Sequence, residues 1–93
     1  MRFVWDPIKD VTNKKKHHVS FEDAVTTFLD KNALRIFDND HSEYEDRWIL
    51  LGLSHSLKLL VVIHLVVNED TIRIISARKA SKDEKNSYLR KLK

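Results

Sequence analysis

The chain contains no cysteine. Disulfides, thiolate metal sites and cysteine nucleophiles are therefore excluded, and the lack of disulfides indicates an intracellular protein. Glycine and proline each occur once, and no stretch has the composition of a linker or a low-complexity repeat. A chain of 93 residues without linkers predicts a single domain, residues 1–93, with room for one hydrophobic core.

Long apolar runs are also missing. The longest apolar region, residues 48–67, is interrupted by five polar residues: Ser54, His55, Ser56, Lys58 and His64. This pattern predicts two strands rather than a membrane span, and the first residues do not have the character of a signal sequence. We therefore expect a cytoplasmic protein with no membrane contact. The net charge of +3 permits an anionic partner, although it does not require one.

Hydrophobic periodicity predicts an α+β fold with the order β-α-α-β-β-β-β-α. The predicted strands cover residues 2–5, 33–37, 47–53, 57–67 and a segment from residue 71 to about 79. Strand 57–67 is the most uniformly apolar, so it should lie at the centre of the sheet with both faces covered. Short turns make the later strands antiparallel neighbours, and we expect an antiparallel sheet with its helices packed on one face.

Capping residues mark where the helices begin. Asp6 before Pro7 predicts the first helix, and Ser81 with Glu84 forms the capping box of the last one. The first helix should stop at residues 17–18, where His18 can adopt a left-handed conformation. The second helix starts after Ser20 and should end near residues 30–32. It presents an apolar stripe to the core, formed by Phe21, Ala24, Val25, Phe28 and Leu29.

Cations gather on the last strand and at the start of strand 47–53. Alternation places Ile72, Ile74 and Ser76 on one face of the last strand, and Arg73, Ile75 and Ala77 on the other. Arg78 and Lys79 follow at its end. If Arg47 shares a face with Arg73, the two form a cationic patch suited to a phosphodiester and to the charge of its transition state. Arginines on a solvated sheet face are the ordinary alternative.

Two further charged clusters have a structural interpretation beside a functional one. The basic run 14–18 could bind phosphates, but a solvated helix C-terminus explains it better. The acidic loop 38–46 cannot be an EF-hand, because Glu43 occupies the position that needs glycine. His41 with two carboxylates could bind a transition metal, yet a solvated loop whose carboxylates pair with arginines is favoured. We predict no metal site.

Several of these blocks, taken in order, resemble the BrnT family. The matching blocks are residues 3–7, Asn13, residues 16–17, residues 19–22, Ala24, Asp30, residues 45–47, residues 52–54, residues 73–80, Glu84 and Tyr88. The stretch RIISARKA, residues 73–80, is the most specific of them. The chain departs from the family at His18, where glycine is usual, and at Asp23, where glutamate is commoner.

This resemblance implies a small ribonuclease with a RelE-like fold, acting as the toxin of a type II toxin-antitoxin pair. It also implies a BrnA-like antitoxin with a ribbon-helix-helix DNA-binding end. The expected complex is a heterotetramer of two toxins and two antitoxins that represses its own operon. Operator DNA would be contacted only through the antitoxin.

A ribonuclease that works without a metal or other cofactor needs a base, an acid and cations. The expected site residues are Arg47, Arg73 and Arg78 for the scissile phosphate, Lys16 and Lys79 for flanking phosphates, His17 as acid or base, and Glu45 as an alternative base or an orienting partner for arginine. Two other functions stay open. The chain could be a non-catalytic co-repressor that binds the antitoxin, or a general nucleic-acid-binding domain.

Overall fold

The computed structural model describes residues 1–92, which form a five-stranded sheet and three α-helices. The strands are β1 (Arg2–Val4), β2 (Leu34–Phe37), β3 (Arg47–Leu53), β4 (Leu59–Asn68) and β5 (Thr71–Lys79), and the helices are α1 (Pro7–His17), α2 (Phe21–Thr26) and α3 (Lys82–Lys91). Short 3₁₀ turns cover Thr27–Leu29 and Asn39–His41. The predicted order of elements is confirmed. Among the described residues, no helix is both long and apolar enough to cross a bilayer.

The strands lie in the order β1-β5-β4-β3-β2, so β4 is central, as predicted. Neighbours from β2 to β5 are antiparallel. At the other edge β1 runs parallel to β5, so the sheet is mixed rather than wholly antiparallel. Strands joined by a hairpin must be antiparallel. Nearly the whole chain separates β1 from β5, so these two strands can pair in parallel.

Side chains of β4 are buried on both faces of the sheet. Leu60, Val62 and His64 point to one face, termed the α2 face. Leu60 and Val62 pack there with Phe21 and Ala24, and His64 packs against Phe28. Leu59, Val61, Ile63 and Leu65 point to the opposite face, termed the α3 face, where Val61 packs against Tyr88 of α3. The expectation that all helices pack on one face was therefore wrong. A central strand that is apolar on both sides needs cover on both.

Helix α1 begins and ends as its sequence predicts. The Asp6 carboxylate accepts a hydrogen bond from Ile8 N at 2.9 Å, and Pro7 is the first helical residue. His18 ends the helix in the left-handed region, with φ 58° and ψ 33°. Histidine thus takes the backbone conformation that glycine adopts at lower cost.

Asn13 connects α1 to the sheet and is buried. Its Nδ2 donates to Val19 O and to Ala77 O, both at 2.8 Å, and its Oδ1 accepts from Ala77 N at 3.1 Å. Because β1 pairs with β5 only as far as Arg73, the outer edge of β5 has no strand beside it at Ala77. The Asn13 amide therefore supplies the donor and the acceptor that a neighbouring strand would have provided.

A change of helix type after α2 corrects one predicted core residue. The chain turns into a 3₁₀ helix at Thr27, and its side chains no longer follow the α-helical stripe. Leu29 is consequently 82% exposed, although the stripe predicted it in the core. Thr27 is fully buried against β3, where a Cβ on Gly52 would lie 3.1 Å from Thr27 O. Glycine at position 52 permits this close approach.

Helix α3 is held at its N-terminus and through Tyr88. The capping box of Ser81 and Glu84 is present, and the Tyr88 hydroxyl donates to Asp30 Oδ2 at 2.5 Å. Burial and this hydrogen bond raise the pKa of Tyr88 to about 12. Burial works against a low pKa for Asp30, but hydrogen bonds from Leu53 N, Tyr88 and Asn32 N lower it overall. The Asp30 carboxylate, which follows the 3₁₀ turn after α2, thus anchors α3 on the α3 face through Tyr88.

Replacing Val62 by aspartate should unfold the protein. Val62 is fully buried on β4, and an unpaired carboxylate there costs several kcal/mol, comparable with the roughly 5–15 kcal/mol that stabilises a typical domain. Circular dichroism of the purified variant would check this. Val67→Asp is the matched control, because Val67 lies on the same strand and is 55% exposed. A soluble Val62→Asp with a native spectrum would contradict the central role of β4.

His64 should make stability depend on pH in mildly acidic solution. It is fully buried beside Phe28, and Nε2 has no hydrogen-bond partner among the described residues. Burial lowers the pKa of His64 to about 4, against about 6.5 in an unfolded chain. The unfolded state therefore binds the proton more readily, so this stability is complete above pH 6.5 and is lost as the pH falls towards 4.

Denaturant unfolding at pH 7 and pH 5 should show a loss of about 2 kcal/mol in the wild type. His64→Leu should lack this part of the loss, whereas His55→Leu, at an exposed turn position, should retain it. An equal loss in His64→Leu and the wild type would show that His64 is not responsible.

Candidate functional site

A β-bulge in β5 changes which side chains share a face. In the β4–β5 ladder Ile63 pairs with Ser76 and the next residue, His64, pairs with Ile74. Ile75 is therefore an extra residue, and the alternation of β5 shifts by one position after it. The predicted grouping of Ser76 with Ile74 was wrong for this reason.

The two arginines of β5 lie on the same face because of the bulge. Arg73 is opposite Leu65 and Arg78 is opposite Val61, and both partners belong to the α3 face. Without the extra residue, five positions along a strand would put the two arginines on opposite faces. Ala77, between them, is fully buried on the α2 face.

Arg47 joins this face from β3. Both Arg47 and Arg73 are paired with Leu65, one from each side. Directly paired residues point to the same face, so the two arginines flank Leu65 with their Cα atoms two strand spacings apart, about 10 Å. Arg73 is exposed and Arg47 is half-buried. Two arginine side chains at this separation can meet at one phosphate, and we term them the arginine pair.

Arg78 is placed differently, at the other end of the α3 face. Its partner Val61 is four residues along β4 from Leu65, a distance of about 13 Å. Its guanidinium binds Glu84 of α3 through two hydrogen bonds, Nη1 to Oε1 at 2.7 Å and Nη2 to Oε2 at 2.9 Å. These bonds are the main cause that lowers the pKa of Glu84 to about 2, and they raise the pKa of Arg78. The structure thus gives Arg78 a partner within the protein.

Glu45 lies beside Arg47, one member of the arginine pair. Its Oε1 is 3.8 Å from Arg47 Nη2, and both side chains are partly exposed. They line a concavity at the loop between β2 and β3, together with four other residues: Asp40, His41, Glu43 and Tyr44. Of the predicted site residues, the structure therefore places Glu45 beside Arg47, and Arg47 on the same sheet face as Arg73.

The other predicted residues lie elsewhere. His17 is the last residue of α1, which packs on β5 at the β1 side of the sheet, whereas Arg47 is two strands away. Lys16 is exposed on the same helix end, and Lys79 is exposed at the opposite end of β5 from Arg73. These three side chains do not join the arginine pair.

One pair of residues at the concavity was not assigned a catalytic role from sequence. His41 Nδ1 lies 3.2 Å from Asp38 Oδ1 and 3.1 Å from Oδ2. The spacing of three residues in a short helical turn is the signal that could have indicated this contact. Within residues 1–92 no three His, Asp or Glu side chains are grouped as metal ligands would be.

Removing Arg78 should raise the pKa of Glu84, although the hydrogen bonds with Ser81 continue to lower it. In the wild type the Glu84 carboxyl should titrate near pH 2. Arg78→Ala should move this pKa up towards the usual value of about 4.3, because both charged hydrogen bonds are lost. Carbon-detected NMR of the carboxyl group would measure it. Arg90→Ala, on the same helix, is the control and should leave the pKa low. An unchanged value in Arg78→Ala would contradict the ion pair.

Comparison with known proteins agrees with this architecture. A family model described as the ribonuclease toxin BrnT of type II toxin-antitoxin systems matches residues 5–84. The structure is similar to the crystal structure of the Brucella abortus ribonuclease toxin BrnT, with 26% sequence identity and a TM-score of 0.67 over 88% of this chain and 99% of that one. No curated protein sequence matches the chain. The chain belongs to the BrnT family of ribonuclease toxins of type II toxin-antitoxin systems.

Proposed function

We propose that this chain arrests growth by cleaving RNA without a metal ion, with the scissile phosphate held by Arg47 and Arg73. The observation that carries the proposal is the arginine pair, two cations on one sheet face that flank Leu65. The family membership supplies the class of reaction. A substrate of cellular RNA implies that the protein acts in the cytoplasm.

The chemistry of RNA cleavage explains why two arginines are useful. The ribose 2′-hydroxyl attacks the adjacent phosphorus, and the pentavalent phosphorane carries more negative charge than the diester it comes from. A guanidinium donates two parallel hydrogen bonds to phosphate oxygens and stays charged at every physiological pH. Arginines fixed on a strand stabilise that charge without having to reorganise. Glu45, at 3.8 Å from Arg47, can hold the guanidinium in place before RNA binds.

The remaining predicted residues lie outside the arginine pair. Lys16 and Lys79 are exposed and can bind phosphates along the strand of RNA. The Arg78 guanidinium already donates two hydrogen bonds to Glu84. It can contact RNA only with a remaining N–H group or after these hydrogen bonds break. The role of His17 as acid or base stays a prediction. Its helix α1 packs on β5, two strands away from the strand that carries Arg47.

The antitoxin partner is proposed to be BrnA-like, with a ribbon-helix-helix end, in a complex of two toxins and two antitoxins. Operator DNA would be bound through the antitoxin, with the toxin as co-repressor. The α3 face supports a protein partner, because an apolar groove remains open between α3 and β2. It is lined by Leu34, Ile36, Ile49, Leu51 and Val61, with Glu84 and Ser87 at its rim. Ile36 is 60% exposed there.

Cleavage of a labelled RNA in the presence of EDTA tests the proposal. The wild type should cut, and Arg73→Ala should lose about 10²- to 10³-fold in rate, the usual effect of removing one group that stabilises transition-state charge. Arg90→Ala is the matched control, because it removes an exposed arginine from α3 and leaves the arginine pair intact. Loss of cleavage on adding EDTA would contradict metal independence.

Expression of the chain alone separates the ribonuclease from a pure co-repressor. A ribonuclease toxin should stop colony growth, and the double variant Arg47→Ala/Arg73→Ala should be tolerated. A folded wild-type chain that is harmless in cells and does not cut RNA would favour the co-repressor function instead.

A further inference from the structure

The loop between β2 and β3 holds a histidine and a carboxylate in a defined arrangement. Both carboxylate oxygens of Asp38 lie within 3.2 Å of His41 Nδ1. The Asp38 side chain is 11% exposed, whereas that of His41 is 69% exposed. A largely buried carboxylate thus orients an accessible imidazole. With Nδ1 directed at Asp38, Nε2 is the ring nitrogen that is left for a ligand.

The same loop is hydrogen-bonded directly to the main chain of Arg47. Asp38 N donates to Arg47 O at 2.8 Å, and Arg47 N donates to Ser42 Oγ at 3.0 Å. Ser42 Oγ in turn donates to Asp38 O at 2.6 Å. These three bonds fix the carboxylate and the imidazole relative to the first residue of β3. The position of His41 is therefore set by the strand that carries one member of the arginine pair.

His41 also faces the same space as Arg47. Both line the concavity at this loop, and its other charged lining residues are Asp40, Glu43 and Glu45. Asp38 contacts the imidazole at Nδ1. This setting differs from that of His17. Among residues 1–92 no carboxylate is hydrogen-bonded to His17, and α1 packs on β5 rather than on β3.

We propose that His41, positioned by Asp38, is the residue that transfers the proton in RNA cleavage. This rests on the ribonuclease function proposed above. Neutral His41 accepts the proton of the ribose 2′-hydroxyl at Nε2 while the 2′-oxygen forms its bond to phosphorus. The bond from phosphorus to the 5′-oxygen breaks, and that oxygen takes a proton from solvent water. The products are a 2′,3′-cyclic phosphate and a 5′-hydroxyl, and the imidazolium returns its proton to solvent.

Asp38 has a separate role as a positioning residue. Its carboxylate keeps the Nδ1 hydrogen directed away from the substrate and stabilises the imidazolium that forms during proton transfer, the role an aspartate has beside a catalytic histidine in other hydrolases. Asn at position 38 would keep the size of the side chain but lose the negative charge. Asp38→Asn should therefore lower kcat with little change in KM.

Cleavage of a labelled RNA oligonucleotide in EDTA, with kcat and KM measured from pH 5 to 8, tests the assignment. His41→Ala should lower kcat by about 10²- to 10⁴-fold, the range for loss of a general base, with KM nearly unchanged. The dependence of kcat on pH should be weaker in this variant than in the wild type, because the group that accepts the proton is gone. Imidazole added to His41→Ala should restore part of the rate, which a purely structural role would not allow.

His55→Ala is the matched control, since it removes an exposed histidine from a turn outside the site and should cut at the wild-type rate. Native circular dichroism of each variant excludes unfolding as the cause of a loss. Wild-type kcat in His41→Ala, or a loss in His17→Ala alone, would overturn the assignment while leaving the ribonuclease function intact. A wild-type chain that cuts no RNA would overturn both.

Discussion

The register of β5 against β4, with its one extra residue at Ile75, is the constraint on which the rest of the molecule depends. Beyond the bulge Ala77 points into the α2 core, where Asn13 satisfies its main chain. Arg78 then points to the α3 face and binds Glu84 at the start of α3. The extra residue Ile75 therefore determines how α1 attaches through Ala77 and how α3 attaches to the α3 face through Arg78. Bulges of this kind are common beside functional sites, where they redirect a side chain.

The α3 face is divided between stability and function. At one end α3 covers the sheet, with Tyr88 buried against Val61 and anchored on Asp30. At the other end Arg47 and Arg73 flank Leu65, which is itself buried. Arg73 is exposed and stays solvated until RNA binds, whereas the end under α3 supplies apolar contacts to the core of a small domain. The strands are rigid enough to hold the arginine pair because β4 is packed on both faces.

Features encoded over a few neighbouring residues were predictable. The caps at Asp6 and Ser81, the left-handed His18 and the bounds of β3 all depend on local chemistry, and the structure has them as expected. Leu29 was predicted wrongly from the same kind of local pattern. The α-helix gives way to a 3₁₀ turn that packs against Gly52, so Leu29 leaves the helical stripe. For the site, the residue types of Arg47 and Arg73 pointed to phosphate chemistry, and Glu45 was expected as an alternative base or as a partner for arginine. The contact of Asp38 with His41 was not predicted, because the spacing of three residues indicates a contact only where the chain forms a helical turn, and the acidic loop did not predict one.

The amino-acid sequence by itself determined the order of the elements, the central place of β4 and the family to which the chain belongs. These follow from hydrophobic periodicity, from capping residues and from motifs such as residues 73–80, all of which are local in the chain. Only the tertiary structure decided that β1 pairs in parallel, that α3 covers the second face, and which cations meet. The register between strands places Arg73 on the same face as Arg47, and the bulge turns Arg78 to that face, where it binds Glu84. Such pairing depends on strands far apart in sequence, so no local pattern records it.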